Sequence, residues 1–207
     1  MEFALTGHYC QEINMHKDRC EECGEITPGY DTVHYRFMDN VYRQLCTRCF
    51  NAAVAELHGL DDFENIRLDP IGLTDCAGEE HQFHFQTRLL GGILSLEAFE
   101  LKEGNPGGYK FQLIGDPEDE LFALLGKLIQ RIRKGLSVKH IEDGPHGLQL
   151  VDETLRGRIE WDADEDGRVP LMVVDGREIS WEAFGRILMS REGWQFKLEI
   201  VDPSDEV

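Results

Sequence analysis

The spacing of apolar residues changes along the chain, and each change marks a different kind of element. Val33, Tyr35 and Phe37 alternate between Pro28-Gly29 and Asp39-Asn40, which predicts a β-hairpin over Tyr30 to Val41. Phe50, Val54 and Leu57 then recur at helical spacing in an Ala-rich, Pro-free run that predicts a helix from Cys49, with Gly59 just past its end. Gln82 to Leu101 reads as extended, with Gly91-Gly92 as the turn between strands, and Tyr109 to Leu113 alternates.

A second helix is punctuated by Asp116 as N-cap, Pro117 at N1 and three acids behind them. Its buried stripe is Leu121, Leu124, Leu125, Leu128 and Ile132. Lys127, Arg131, Arg133 and Lys134 sit toward its C-terminus, and Gly135 is the stop. Arg158–Trp161 and Val169–Val174 read as strands around the acidic turn Asp162–Gly167. Ser180 caps a third helix with Trp181, Phe184, Ile187 and Leu188 inward, ended by Gly193. Trp194 to Ile200 alternates and reads as a strand. The expected class is α+β: a small N-terminal unit, then a mixed domain with antiparallel strands and two amphipathic helices. The acidic, turn-rich stretches Asp61–Asn65 and Asp69–Gly72 place the boundary near residue 70, dividing the chain into 1–70 and 71–207.

Four of the six cysteines carry the chemistry. Cys20 and Cys23 form one C-x2-C pair and Cys46 and Cys49 another, separated by 22 residues. A two-residue gap lets both thiolates of a pair meet one ion at about 2.3 Å, and two pairs close a tetrahedron with no open position, which makes a structural zinc site. A disulfide framework lacks a secretion signal, a redox motif explains only one pair, and iron–sulfur loops usually carry other spacings. Gly24 after Cys23 suits the tight turn of a zinc knuckle. Cys46 and Cys49 lie at a helix N-terminus, where the dipole favours thiolate. Arg19 and Arg48 sit next to ligands and offset part of the charge.

Knuckle, hairpin and a second C-x2-C opening a helix make Cys20 to Leu57 resemble the treble-clef zinc fingers, most closely the small zinc-binding domain at the N-terminus of the ClpX unfoldase. The resemblance implies one structural Zn2+ held by Cys20, Cys23, Cys46 and Cys49. It also implies a docking or dimerisation module, so a homodimer is compatible with it. Residues 71–207 resemble uncharacterised bacterial domains.

Charge narrows the partners. The 207 residues carry 21 Lys+Arg and 40 Asp+Glu, a formal net charge of −19. Residues 1–70 hold −7 of it and residues 71–207 hold −12, so no basic domain hides in the average. Phosphate binding is driven by Lys and Arg, so duplex nucleic acid is not expected. No apolar run of about 18 residues and no signal peptide are visible, so no membrane association and a cytoplasmic location are expected.

Other candidates have plainer readings. Asp162, Asp164, Asp166 and Gly167 match the opening of a calcium loop, but Val173 stands where the bidentate Glu belongs, so an acidic hairpin turn is expected. His81 and His84 fall on opposite faces of an extended segment. Cys10 and Cys76 are expected to be buried thiols and not ligands, the alternative being that Cys10 sits near the finger with His8 or His16. No phosphate loop, nucleophile elbow or H-E-x-x-H helix is present. The expectation is a non-enzymatic structural-zinc protein with a protein partner. A nucleic-acid-binding finger and an enzyme with its site in residues 71–207 remain as the other classes.

Overall fold

A computed structural model describes residues 17–36, 41–145, 147–162, 165 and 167–205. The fold is α+β, with antiparallel strand pairing throughout the described residues and three α-helices.

The first unit is built around the cysteines. Strands β1 (Lys17–Arg19) and β2 (Ile26–Pro28) pair across the Cys20–Cys23 turn. A single 3-10 turn at Gly29–Asp31 leads into the hairpin β3 (Thr32–Arg36) and β4 (Tyr42–Cys46), which runs directly into helix α1 (Thr47–His58). The hairpin reaches five residues past the predicted Val41, so Cys46 ends a strand and caps a helix at once. Gly59 closes α1 in the left-handed conformation, as its position implied. Phe50 and Val54 are buried, but Leu57, predicted on the same face, is exposed.

The second unit is a four-stranded sheet in the order β5-β6-β7-β8, from β5 (Ile71–Thr74), β6 (Glu80–Leu90), β7 (Ile93–Lys102) and β8 (Asn105–Gly115). The turn expected at Asp69–Gly72 is in part the strand β5, whose Ile71 and Leu73 pack against the core. Helix α2 (Leu121–Leu136) covers one face. Leu121, Leu124, Leu128, Ile132 and Leu136 interlock with Phe83, Leu94, Leu96 and Ala98. The helix starts four residues later than the predicted cap implies. The Asp116 carboxylate accepts the N–H of Glu118 at 2.9 Å and that of Asp119 is satisfied locally at 3.0 Å, so the acids build a turn of their own instead of the first helical turn. Gly135 is no stop: it lies inside α2 where a Cβ would strike the Phe111 ring, so it sets how closely helix and sheet approach.

The third unit comprises the hairpin β9 (Ile141–Gly144) and β10 (Gly147–Leu150), the sheet β11 (Arg158–Trp161), β12 (Pro170–Val174) and β13 (Arg177–Ile179), and helix α3 (Trp181–Met189). Ser180 caps α3 by accepting the N–H of Ala183. Ile187 is buried against Ile141, Val174 and Ile179, whereas Trp181 and Leu188 are exposed, contrary to the inward face read from the sequence. Antiparallel pairing of Arg158 with Val173 and Trp161 with Pro170 makes the acidic run between them a hairpin connection. Asp164 and Asp166 lie outside the described residues. Trp194 to Ile200 is not a strand here: it has no ladder partner, and its apolar side chains face solvent.

Candidate metal centre

Three local structures bring the four thiols together. Gly24, at φ +73°, donates its N–H to the Cys20 carbonyl at 2.9 Å and turns the chain after the first pair. Glu21 N–H donates to the Gln44 carbonyl at 2.9 Å, which fastens this knuckle to β4, the strand that delivers Cys46. The helix then sets Cys49 three residues on, where its N–H donates to Cys46 Sγ at 3.5 Å. The four Sγ atoms lie within 4.8 Å of one another. Cys23 Sγ and Cys46 Sγ are 3.9 Å apart, against about 3.8 Å across a tetrahedron with 2.3 Å metal–sulfur bonds. None of the four is in a disulfide.

The electrostatics show what so tight a group of thiols needs. Burial pushes the Cys20 thiol up, but the N–H groups of Cys23, Cys46 and Glu22 more than reverse this and lower it to about 6. Burial raises the Cys46 and Cys49 thiols, and for Cys49 the neighbouring sulfurs add to the rise. One thiolate therefore forms easily and discourages the next. A divalent cation bound by all four removes that conflict, and the donor set of four soft sulfurs is the one zinc takes in closed sites. Arg19 reaches the knuckle at the Gly24 carbonyl (3.4 Å), and Arg48 borders a shallow opening beside Cys23, Cys46 and Cys49.

The sulfurs also form part of a core. Cys20 and Cys46 are buried with Leu45, Phe50, Val54 and Ala55, and the cluster is completed by Leu89 from β6. A polar link fixes that contact. Asn51, 1% exposed on α1, donates to the Thr87 carbonyl at 2.8 Å and accepts the Leu89 N–H at 2.9 Å. Its amide thus satisfies the β6 edge as a strand neighbour would. Gln86 reaches back to the Tyr30 carbonyl at 2.7 Å and to Thr47 Oγ1 at 3.1 Å. The sequence reading passed over Asn51, whose one signal was a polar side chain between Phe50 and Val54 in a helix otherwise rich in alanine.

The remaining candidates separate. His81 and His84 do face opposite ways: His84 stacks on Phe99, while His81 is buried between two carboxylates. Its Nδ1 is 2.9 Å from Glu100 and its Nε2 is 3.4 Å from Asp75. Asp75 also pairs with Lys139 at 2.6 Å and accepts the N–H groups of Ala77 and Glu79. Burial pushes the Asp75 carboxyl up, but Lys139, those N–H groups and His81 together hold it well below the usual carboxylate range. Asp75, Glu79 and His81 have metal-ligand spacing, but Lys139 already supplies the cation that balances Asp75. Cys76 is exposed, not buried as expected, and Cys10 lies outside the described residues. Arg131 does more than offset a helix dipole: it donates to the carbonyls of Gln112 (2.5 Å), Ser204 (3.1 Å) and Pro203 (3.3 Å). Among the described residues no helix is long and apolar enough to cross a membrane.

Three sequence families match successive stretches of the chain, and each is described as a domain of unknown function: DUF7685 over residues 19–61, DUF7686 over residues 64–137 and DUF7713 over residues 140–205. No curated protein and no solved structure matches the chain. The first family brackets all four clustered cysteines, so the thiol site falls within one of the three matched units.

Proposed function

We propose that Cys20, Cys23, Cys46 and Cys49 hold one structural Zn2+ in a treble-clef finger, and that the protein is a non-enzymatic interaction or adaptor protein. The observation that carries this reading is the closed set of four sulfurs within 4.8 Å, which leaves no place for a substrate or an activated water. Exposed apolar side chains on this unit support docking: Ile26, Val41, Tyr42 and Leu57 are each exposed, while Leu45, Phe50 and Val54 cluster with Leu89 of β6. Tyr42 is further held by the Arg36 guanidinium, 5.3 Å from its ring centre. A rigid surface with an aromatic anchor is the kind of patch on which protein partners concentrate binding energy. The partner is a protein and not duplex nucleic acid, because a chain of net charge −19 repels phosphate.

The test is elemental analysis of the purified protein together with partner capture by wild type and Tyr42→Asp. We expect one zinc per chain in both proteins, and loss of the captured partner only in the variant. Absence of metal, or iron in place of zinc, sinks the zinc assignment. Full zinc with capture indifferent to Tyr42 sinks the docking surface.

A further inference from the structure

The least satisfied part of the described chain is residues 194–201. Trp194, Phe196, Leu198 and Ile200 project at every second position, and Phe196 is 91% exposed. Gln195, Lys197 and Glu199 fill the alternate positions, and Lys197 pairs with Glu199 at 3.3 Å. Among the described residues, 195–201 make no backbone hydrogen bond. The segment has the alternation of an amphipathic strand but no sheet to join. Left open, it is an aggregation hazard.

The third unit carries the matching defect. β11 is the edge of its sheet, with β12 on one side and no strand on the other. Ile159 and Trp161 lie on one face of β11 and are exposed, Trp161 at 73%. Ile159 pairs with Met172, which packs into the core of Val174, Ile179 and Ile187. The apolar face of this sheet therefore runs from the core out to β11 and stops uncovered. The opposite face of β11 is engaged: Glu160 takes Lys110 at 2.7 Å and Arg158 at 2.6 Å. One more strand on the free edge, its apolar side beside Ile159 and Trp161, would complete the layer.

We propose that a second copy of this chain supplies that strand: two copies form an isologous dimer in which residues 194–200 of each pair with the β11 edge of the other. Strand and edge are both present on every chain, which is the self-complementarity that two-fold closure requires. The area is sufficient. The exposed portions of Trp194, Phe196, Leu198, Ile200, Ile159 and Trp161 amount to about 900 Å² of largely apolar surface per chain, an upper limit of about 1,800 Å² for the pair, within the range of a standard specific interface. Lys197 and Glu199 would enter the interface already paired with each other. What opposes association is the net −19 on each copy, a long-range repulsion that salt screens. The strand is also held ready: Arg131 anchors the chain just beyond it at Pro203 and Ser204. This proposal is independent of the metal reading.

The experiment is sedimentation of the full chain, metal retained, over a range of concentration and salt, with Phe196→Asp and Trp161→Asp beside the wild type. We expect a wild-type dimer that tightens as salt is added, and at least about 30-fold weaker association for each variant. Far-ultraviolet circular dichroism and metal content should be unchanged, since both positions are exposed. Mixing the two variants should restore part of the association, because the mixed pair keeps one of its two seams intact, with the strand of the second variant on the β11 edge of the first. A wild type that stays monomeric at all salts overturns the proposal, as does a dimer indifferent to Phe196→Asp. A monomer whose amides 195–200 are protected from hydrogen exchange shows the strand closing on its own β11 and also overturns it. Two monomeric variants whose mixture stays monomeric sink the reciprocal pairing.

Discussion

The finger and the central sheet meet along β6 but are held together by different means. The sheet and α2 enclose nine buried apolar residues from three separate elements, β6, β7 and α2, with further side chains packed around them. The finger encloses seven, of which two are metal-ligand candidates and one, Leu89, belongs to the sheet. Apolar burial stabilises by about 25 cal/mol per Å², and a unit as small as the finger cannot offset its chain entropy on that alone. The sheet reaches the same end by side-chain interdigitation, with a buried ionic network at the margin around Asp75. On the zinc reading, the small unit borrows stability from a metal and a neighbour, whereas the larger one supplies its own.

Removing the metal should therefore separate the two. Structural zinc contributes roughly 10–16 kcal/mol in isolated finger peptides, as large as the roughly 5–15 kcal/mol by which a whole native protein is stable. We expect Cys46→Ser to lose zinc and to make the finger protease-sensitive, while a fragment near residues 71–207 survives limited proteolysis. A finger that resists protease as before ends the contrast; loss of the whole chain shows that the two units stand or fall together.

The converse perturbation acts on the sheet alone. Asp75 has a depressed folded-state pKa, so its contribution is complete above about pH 4, the unfolded value, and is lost as pH falls through the lower folded value. Asp75→Asn should cost about 2 to 3 kcal/mol at pH 7, because it strands Lys139 and His81. The gap from wild type should narrow below pH 4, with zinc content at pH 7 unchanged. Denaturant midpoints for both proteins across pH 2.5 to 7 give the answer, and a gap that does not vary with pH refutes the ionic role.

The smallest effect tests the seam. Asn51→Ala leaves the Thr87 carbonyl and Leu89 N–H without their partner and should cost about 1 to 2 kcal/mol. Hydrogen exchange at Leu89 should accelerate, while the four sulfurs keep their zinc. Unchanged protection at Leu89 would show that apolar contact alone holds the finger to the sheet.

Much of this was readable beforehand, and for local reasons. The two C-x2-C pairs, the Gly59 cap, the Gly91-Gly92 turn and the leucine stripe of α2 are each specified by residues within one or two turns of each other. Gly135 and Asp116 misled because each has two local uses, cap or close approach in one case and cap or turn in the other, and the packing of Phe111 and the acids' own hydrogen bonds chose between them. Trp194 to Ile200 misled for a deeper reason. Alternation specifies that a segment can be a strand, but a strand exists only when an edge accepts it, and that edge is remote in sequence.

By itself, then, the sequence determined the α+β class, the candidate metal ligands and the helical stripes, because spacing along the chain and side-chain chemistry are local properties. Only the tertiary structure decided that Asn51 would complete the edge of β6, that His81 would lie between Asp75 and Glu100, and that the alternating segment Trp194 to Ile200 would stand apart from the described sheets. Each of these depends on which groups remote in sequence are brought together, or left without a partner, once the sheets have formed, and that is settled by packing and not by sequence order.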